Sequence, residues 1–174
     1  NDTDSAITAF ATAFYDDVNL TEDRSVLNEW SYDKLGSKWT TLYDVLGEAE
    51  FSIESAWYPP KQFFIHLYNL CFPLDNDVVI EVRYEDETFN PVGALVVKSV
   101  TKYGENSETT EGCIWSEEVE MEDPTVDMDF DDENYDEVSQ EFYESLYDTQ
   151  LRLLGQCMEM IELDGEPIKV EDNN

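Results

Sequence analysis

The sequence is poor in basic residues: its 174 positions contain 9 Lys and Arg against 42 Asp and Glu, which gives a formal net charge of -33. A chain this negative is repelled by nucleic acid and by anionic membrane surfaces, so the composition excludes both as direct partners. Charges of one sign also repel each other within the folded protein. An excess of this size therefore points to a function for the charge itself.

Residues that commonly carry catalysis are also scarce. The one histidine, His66, lies in the segment 63–70, whose apolar spacing is typical of a packed helix. The chain has no Gly-x-Ser-x-Gly elbow, no phosphate-binding Gly-x-x-x-x-Gly-Lys loop and no Gly-x-Gly-x-x-Gly fingerprint. We therefore expect no enzyme activity, no cofactor and no metal centre, and an unrecognised hydrolase is the catalytic alternative.

Cysteine and long apolar runs are the remaining shortages. Cys71, Cys113 and Cys157 are odd in number and far apart, a pattern that favours reduced thiols over a disulfide framework. No stretch approaches the roughly 20 apolar residues that a membrane span requires. We expect a cytoplasmic protein.

Apolar and aromatic residues, by contrast, are plentiful. Hydrophobic residues make up 41% and aromatic residues 13% of the chain, which is too many for a disordered acidic protein. The length suits one folded domain over 1–174. We divide this domain into an N-terminal helical segment (1–27), a core (28–104) and an acidic extension (105–174).

Periodicity predicts an α+β fold, with an antiparallel sheet of four or five strands, packed helices and a long acidic C-terminal helix. The expected helices cover 3–15, 21–36, 61–71 and 134–163, and the expected strands 41–46, 50–57, 77–86, 92–101 and 112–121. In the second strand, alternation places Phe51, Ile53 and Trp57 on a buried face and Glu54 and Ala56 on a polar one.

Three segments carry a family resemblance: LGSKW at 35–39, FSIESAWYPP at 51–60 and VRYEDETFNPVG at 82–93. With these motifs, residues 28–102 resemble the YubB-type ferredoxin-like family of phages, plasmids and genomic islands. The resemblance implies a four-stranded ferredoxin-like sheet with packed helices, and it transfers no catalytic residues. The family's setting in mobile elements implies a role in manipulating a host or its defences.

The negative charge is concentrated in the acidic extension, which holds 24 acidic and 2 basic residues. Within it, residues 117–148, hereafter the acidic run, contain fifteen carboxylates and no Lys or Arg. Solubility does not require so dense a run. We predict that its carboxylates bind a partner: Glu117, Glu118, Glu120, Glu122, Asp123, Asp127, Asp129, Asp131, Asp132, Glu133, Asp136, Glu137, Glu141, Glu144 and Asp148.

Two series within the acidic run have the spacing of a single face. Alternate strand residues repeat at about 6.6 Å, near the separation of successive phosphates on a nucleic-acid strand, and this spacing applies to Glu118, Glu120 and Glu122. Helical residues three or four apart are neighbours roughly 6 Å apart, and this spacing applies to Glu133, Glu137, Glu141, Glu144 and Asp148. Each like-charge pair costs a few tenths of a kcal/mol, so such a series calls for a functional reason.

These patterns predict an inhibitor that mimics nucleic acid and occupies the basic groove of a host nucleic-acid-processing or defence system. Two alternatives remain open: an adaptor or assembly protein that binds a basic partner, and a haloadapted protein without mimicry. Calcium is a third interpretation of Asp127, Asp129 and Asp131, but the loop has Asp132 where a calcium loop needs Gly and Val138 where it needs Glu.

Overall fold

The computed structural model of the chain describes residues 24–38, 40–45, 50–103, 107–131 and 133–168. It confirms a mixed α+β architecture with antiparallel sheets. The helices in this part of the chain are α1 (Arg24–Leu35), α2 (Lys61–Cys71) and α3 (Tyr135–Asp164). The strands are β1 (Thr40–Val45), β2 (Phe51–Ser55), β3 (Val79–Glu85), β4 (Val92–Tyr103), β5 (Glu108–Val119) and β6 (Glu166–Pro167). The predicted helix over 3–15 lies outside the described residues.

Contacts divide the chain into two compact units, Asn1–Leu67 and Tyr68–Asn174, with the division inside α2. We predict a single domain over 1–174, and this division into contact units does not test that prediction. None of the described helices combines the length and the apolar character that a membrane crossing requires.

In the first unit, α1 stops at Gly36, as the sequence predicts. Gly36 has φ +80, a left-handed conformation in which a side chain is strained. Beyond it, the Ser31 hydroxyl donates to the Ser37 carbonyl at 2.7 Å, and the hydroxyls of Ser37 and Thr40 lie 2.8 Å apart. These buried bonds fix the chain between α1 and β1.

The alternation predicted for β2 fails at its end. The strand stops at Ser55, and Trp57 adopts φ 63, so the chain bends and reverses the expected faces. Trp57 is 65% exposed, with Lys38 Nζ 5.7 Å from its ring centroid, and Ala56 is buried. The bend allows the Ser55 hydroxyl to donate to the Tyr58 carbonyl at 2.8 Å.

The second unit contains a four-stranded sheet with the order β3-β4-β5-β6. Consecutive strands are direct antiparallel neighbours, and β5 and β6 are joined through α3. The elements of this sheet follow the order β-β-β-α-β along the chain, whereas a ferredoxin-like fold has the order β-α-β-β-α-β. The ferredoxin-like topology that the resemblance implies is therefore not confirmed.

One buried cluster of the second unit lies between this sheet and α3. Strand alternation directs Ala94, Val96 and Val100 of β4 to the same side as Cys113 of β5. They form one cluster with the buried side of α3: Leu153, Cys157 and Ile161. Because helical neighbours recur every three or four residues, the opposite side of α3 remains exposed.

The buried thiols of this core allow a direct test of the fold. Burial raises the pKa of Cys157 to about 11, so near neutral pH its thiolate fraction is about a hundredfold below that of an ordinary thiol. We expect thiol reagents to label half-buried Cys71 in the folded protein, and to label Cys113 and Cys157 only after unfolding. Mass spectrometry of trapped adducts at pH 7 to 8 measures this order.

The raised pKa also sets a pH dependence. The neutral thiol of Cys157 is favoured in the folded state, so its contribution to stability is present below pH 9 and is lost as the pH rises toward 11. Labelling of Cys157 as fast as that of Cys71 in the native protein would contradict this packing.

Candidate functional site

The acidic run spans the end of β5, the segment 120–134 and the N-terminal half of α3. All of its described residues belong to the second unit. Asp132 lies outside the described residues. The remaining carboxylates fall into three local settings, which differ in how much of each charge is available to a partner.

The first setting is the end of β5, where Glu117 and Glu118 point to opposite faces of the sheet. Glu117 is half-buried, and its Oε1 accepts a hydrogen bond from Trp115 Nε1 at 2.7 Å. Glu118 is exposed and accepts one from the Tyr84 hydroxyl at 2.9 Å. Both carboxylates therefore have structural partners, and the two do not form one surface.

Tyr84 holds its place beside Glu118 through close packing on β4. A Cβ at Gly93 would collide with the Tyr84 ring, so the absence of a side chain there makes room for it. Burial and then the hydrogen bond to Glu118 raise the pKa of Tyr84 well above its ordinary value. The Tyr84 hydroxyl therefore stays protonated and can donate to this carboxylate.

The strand predicted to carry Glu118, Glu120 and Glu122 reaches only the first of them, because β5 ends at Val119. Its last residue pairs with Val92, the first residue of β4, and beyond it the Met121 amide donates to the Phe89 carbonyl at 3.1 Å. Glu120 and Glu122 lie beyond the strand. Both are exposed, and their neighbours Met121 and Asp123 are half-buried.

The second setting is the segment 120–134, where a carboxylate stabilises one turn. Asp123 Oδ1 accepts from the Thr125 amide at 2.8 Å and from the Thr125 hydroxyl at 2.7 Å, so this carboxylate stabilises a turn. The carboxylates of Asp127, Asp129, Asp131 and Glu133 are exposed. Within the described residues, no group of three or more His, Cys, Asp or Glu is arranged to hold a metal ion.

Apolar side chains stand between these acids, which the charge pattern alone does not predict. Val126 is 77% exposed and Phe130 is 85% exposed. The Phe130 ring lies 4.8 Å from that of Tyr135 at the start of α3. This segment therefore presents apolar contact area within a negative surface.

The third setting is α3. It begins at Tyr135, so Glu133 is not on the helix and the five-residue series is wrong at its first member. Asp136 and Glu137 lie in the first turn, where the positive end of the helix dipole favours carboxylates. Glu137, Glu141, Glu144 and Asp148, hereafter the acidic stripe, are all exposed on one side of the helix.

Some neighbours of the acidic stripe are not found by counting charges. An open depression along this side of α3 is lined by Glu141, Glu144, Ser145, Asp148, Thr149 and Arg152. Arg152 places one positive charge at the end of the stripe and donates to Gln156 Oε1 at 3.2 Å. Helical spacing could have found Ser145 and Arg152, since each lies four positions after a member of the stripe.

Comparison with family models, with curated protein sequences and with solved structures finds no match for this chain.

Proposed function

We propose that this protein imitates the charge of nucleic acid and inhibits a host nucleic-acid-processing or defence system. Restriction, recombination and CRISPR complexes are the classes of target, because each binds nucleic acid through a basic groove. The protein binds in that groove as a competitor, in the cytoplasm of the host, and performs no catalysis.

The acidic stripe is the observation that carries the proposal. Among the described residues, no hydrogen bond or ion pair engages the side chains of Glu137, Glu141 and Asp148, and Glu144 accepts only from Gln140 Nε2, at 2.9 Å. The negative charge of the stripe is thus directed to solvent at a spacing of roughly 6 Å. The helix that carries the stripe packs on the sheet through its opposite side, including Leu153 and Cys157.

Electrostatic attraction supplies the mechanism. Carboxylates of the stripe and of the segment 120–134 face Lys and Arg of the groove, which raises the association rate and makes it depend on salt. Val126 and Phe130 add apolar contact, which nucleic-acid phosphates do not offer. Such contacts slow dissociation once the complex has formed.

Competition with DNA tests the proposal. The tagged full chain is used to capture its partner from an expressing host, and duplex DNA is then added in excess. We expect DNA to displace the partner, because both ligands need the same basic residues, and we expect the purified protein not to bind DNA itself. Direct DNA binding at physiological salt, or a partner that DNA leaves in place, would refute the mimicry.

An adaptor that binds a basic partner is the second candidate. Exposed Val126 and Phe130 favour it, since an apolar anchor is typical of a protein interface and is not needed for charge imitation. The same experiment separates the two functions: an adaptor stays on its partner when DNA is added, and a mimic is released.

A further inference from the structure

Among the strands in the described part of the chain, β3 (Val79–Glu85) is the first of the order β3-β4-β5-β6, so it pairs with β4 and lies at an edge of this sheet. Its residues alternate between exposed and half-buried along its whole length. An edge strand presents unpaired backbone donors and acceptors to which another strand can add.

The hydrogen bonds of the hairpin identify which backbone groups face outward. Asp86 is opposite Pro91, and its amide donates to the Pro91 carbonyl at 3.1 Å, so Asp86 faces β4. Antiparallel strands alternate in this respect, and Tyr84, Val82 and Ile80 therefore face β4 as well. The N–H and C=O groups that face outward belong to the alternate set: Val79, Glu81, Arg83 and Glu85.

We infer that β3 pairs with β3 of a second copy of this chain, antiparallel and with a two-fold axis at Val82. This register joins outward-facing residues only: Val79 lies opposite Glu85 of the second copy, and Glu81 lies opposite Arg83 of the second copy. The two-fold axis generates each of these pairs twice, once on either side of Val82. The inference goes beyond the proposed function and does not depend on it.

Charge selects this register over its neighbours. An axis at Glu81 would set Glu81 opposite itself, and an axis at Arg83 would set Arg83 opposite itself and Glu81 opposite Glu85. Like charges directly opposite each other are destabilising, whereas opposite charges stabilise a strand pair. An axis at Tyr84 would also pair Arg83 with Glu85, but it would engage only these two of the four outward-facing residues of β3. The axis at Val82 pairs all four, gives two Glu–Arg pairs and sets no like charges opposite each other.

Arg83 is already held in position for this pairing. Its guanidinium lies over the Tyr147 ring of α3, 5.1 Å from the centroid, and the side chain remains exposed. A cation–π contact of this kind reduces the number of conformations that the long side chain must lose on pairing.

The net charge of -33 on each copy opposes association. This repulsion extends over the whole molecule, so salt screens it strongly as the Debye length falls from about 10 Å at 0.1 M to about 3 Å at 1 M. Backbone hydrogen bonds between the strands are not screened in this way. We therefore expect the dimer to become tighter as salt is added.

Sedimentation equilibrium of the full chain at low and high salt tests the inference. We expect a dimer that Glu81→Arg or Arg83→Glu weakens about tenfold or more, because each single change sets like charges opposite each other twice. The double variant Glu81→Arg with Arg83→Glu exchanges the charges and is expected to restore dimerisation. Circular dichroism verifies that each variant is folded.

A second variant tests the backbone pairing separately. Glu81→Pro removes an outward-facing N–H and leaves the β3–β4 ladder intact, so we expect a folded monomer. A parent protein that remains monomeric at every salt concentration would overturn the inference. A charge-exchanged variant that dimerises no better than the single variants would also overturn it.

Discussion

Replacing Glu137, Glu141 and Glu144 by Gln and Asp148 by Asn is expected to slow association with the captured partner about tenfold or more, with a shallower dependence on salt. The four amides keep the size and hydrogen-bonding capacity of the carboxylates and delete four charges. Folding should persist or strengthen, because like-charge repulsion along the helix is relieved. Stopped-flow or surface-based association rates at several salt concentrations measure the effect.

A matched variant separates the acidic stripe from net charge. Glu50, Glu54, Glu87 and Glu108 are exposed and lie outside the acidic run, so replacing them by Gln deletes the same four charges elsewhere. We expect this control to slow association much less than the stripe variant. Equal rates for the two variants would mean that position is unimportant and that the stripe is an ordinary solvated surface.

Leu153→Ala is expected to lower the free energy of unfolding by about 2–5 kcal/mol, a large part of the roughly 5–15 kcal/mol typical of a folded protein. Leu153 is 1% exposed and belongs to the cluster that joins α3 to β4 and β5. Its truncation loses buried apolar area and leaves a cavity in a well-packed layer. Urea unfolding followed by circular dichroism gives the difference.

Leu151 is the matched control on the same helix. It is 43% exposed and lies off the buried side, so Leu151→Ala should change the unfolding free energy by less than about 1 kcal/mol. A similar loss for both variants would indicate that α3 does not pack through the side containing Leu153. A loss confined to Leu153 supports the separation of a packed side from a charged side.

The hairpin and α2 could be predicted from the sequence because their signals are local. Alternating Val and Ile residues place β3 and β4 on either side of a polar turn, and Pro59 and Pro60 lead directly into α2, which starts at Lys61 as predicted. Asp86 fits the turn position for a chemical reason: its Oδ1 accepts from the Thr88 amide at 2.7 Å.

Burial was harder to predict than secondary structure, since it depends on where each element ends. Alternation places Trp57 on a buried face only if β2 continues to that residue, but its left-handed conformation ends the alternation. On α2, Leu70 is 38% exposed, whereas Tyr68 is fully buried, with its hydroxyl 2.7 Å from that of Ser99. Ser99 is 31 residues from Tyr68 in the sequence, so the periodicity of α2 alone cannot predict this contact.

Composition locates the acidic run, but it cannot tell which carboxylates have hydrogen-bond partners within the protein and which are free to meet a partner. Glu117 and Asp123 carry the same charge as Glu141, yet they accept hydrogen bonds from Trp115 and Thr125. These partners are two residues away in the sequence, and whether they meet depends on backbone angles that the pattern does not fix. The exposure of Glu137, Glu141 and Asp148 followed from helical spacing alone.

The two-sided character of α3 also has a consequence for how the protein can vary over generations. Mutations at Leu153, Cys157 or Ile161 are under selection for packing, whereas those at Glu137, Glu141 or Asp148 alter no buried contact. The outer side can therefore accumulate changes without loss of folding, while the packed side stays constant.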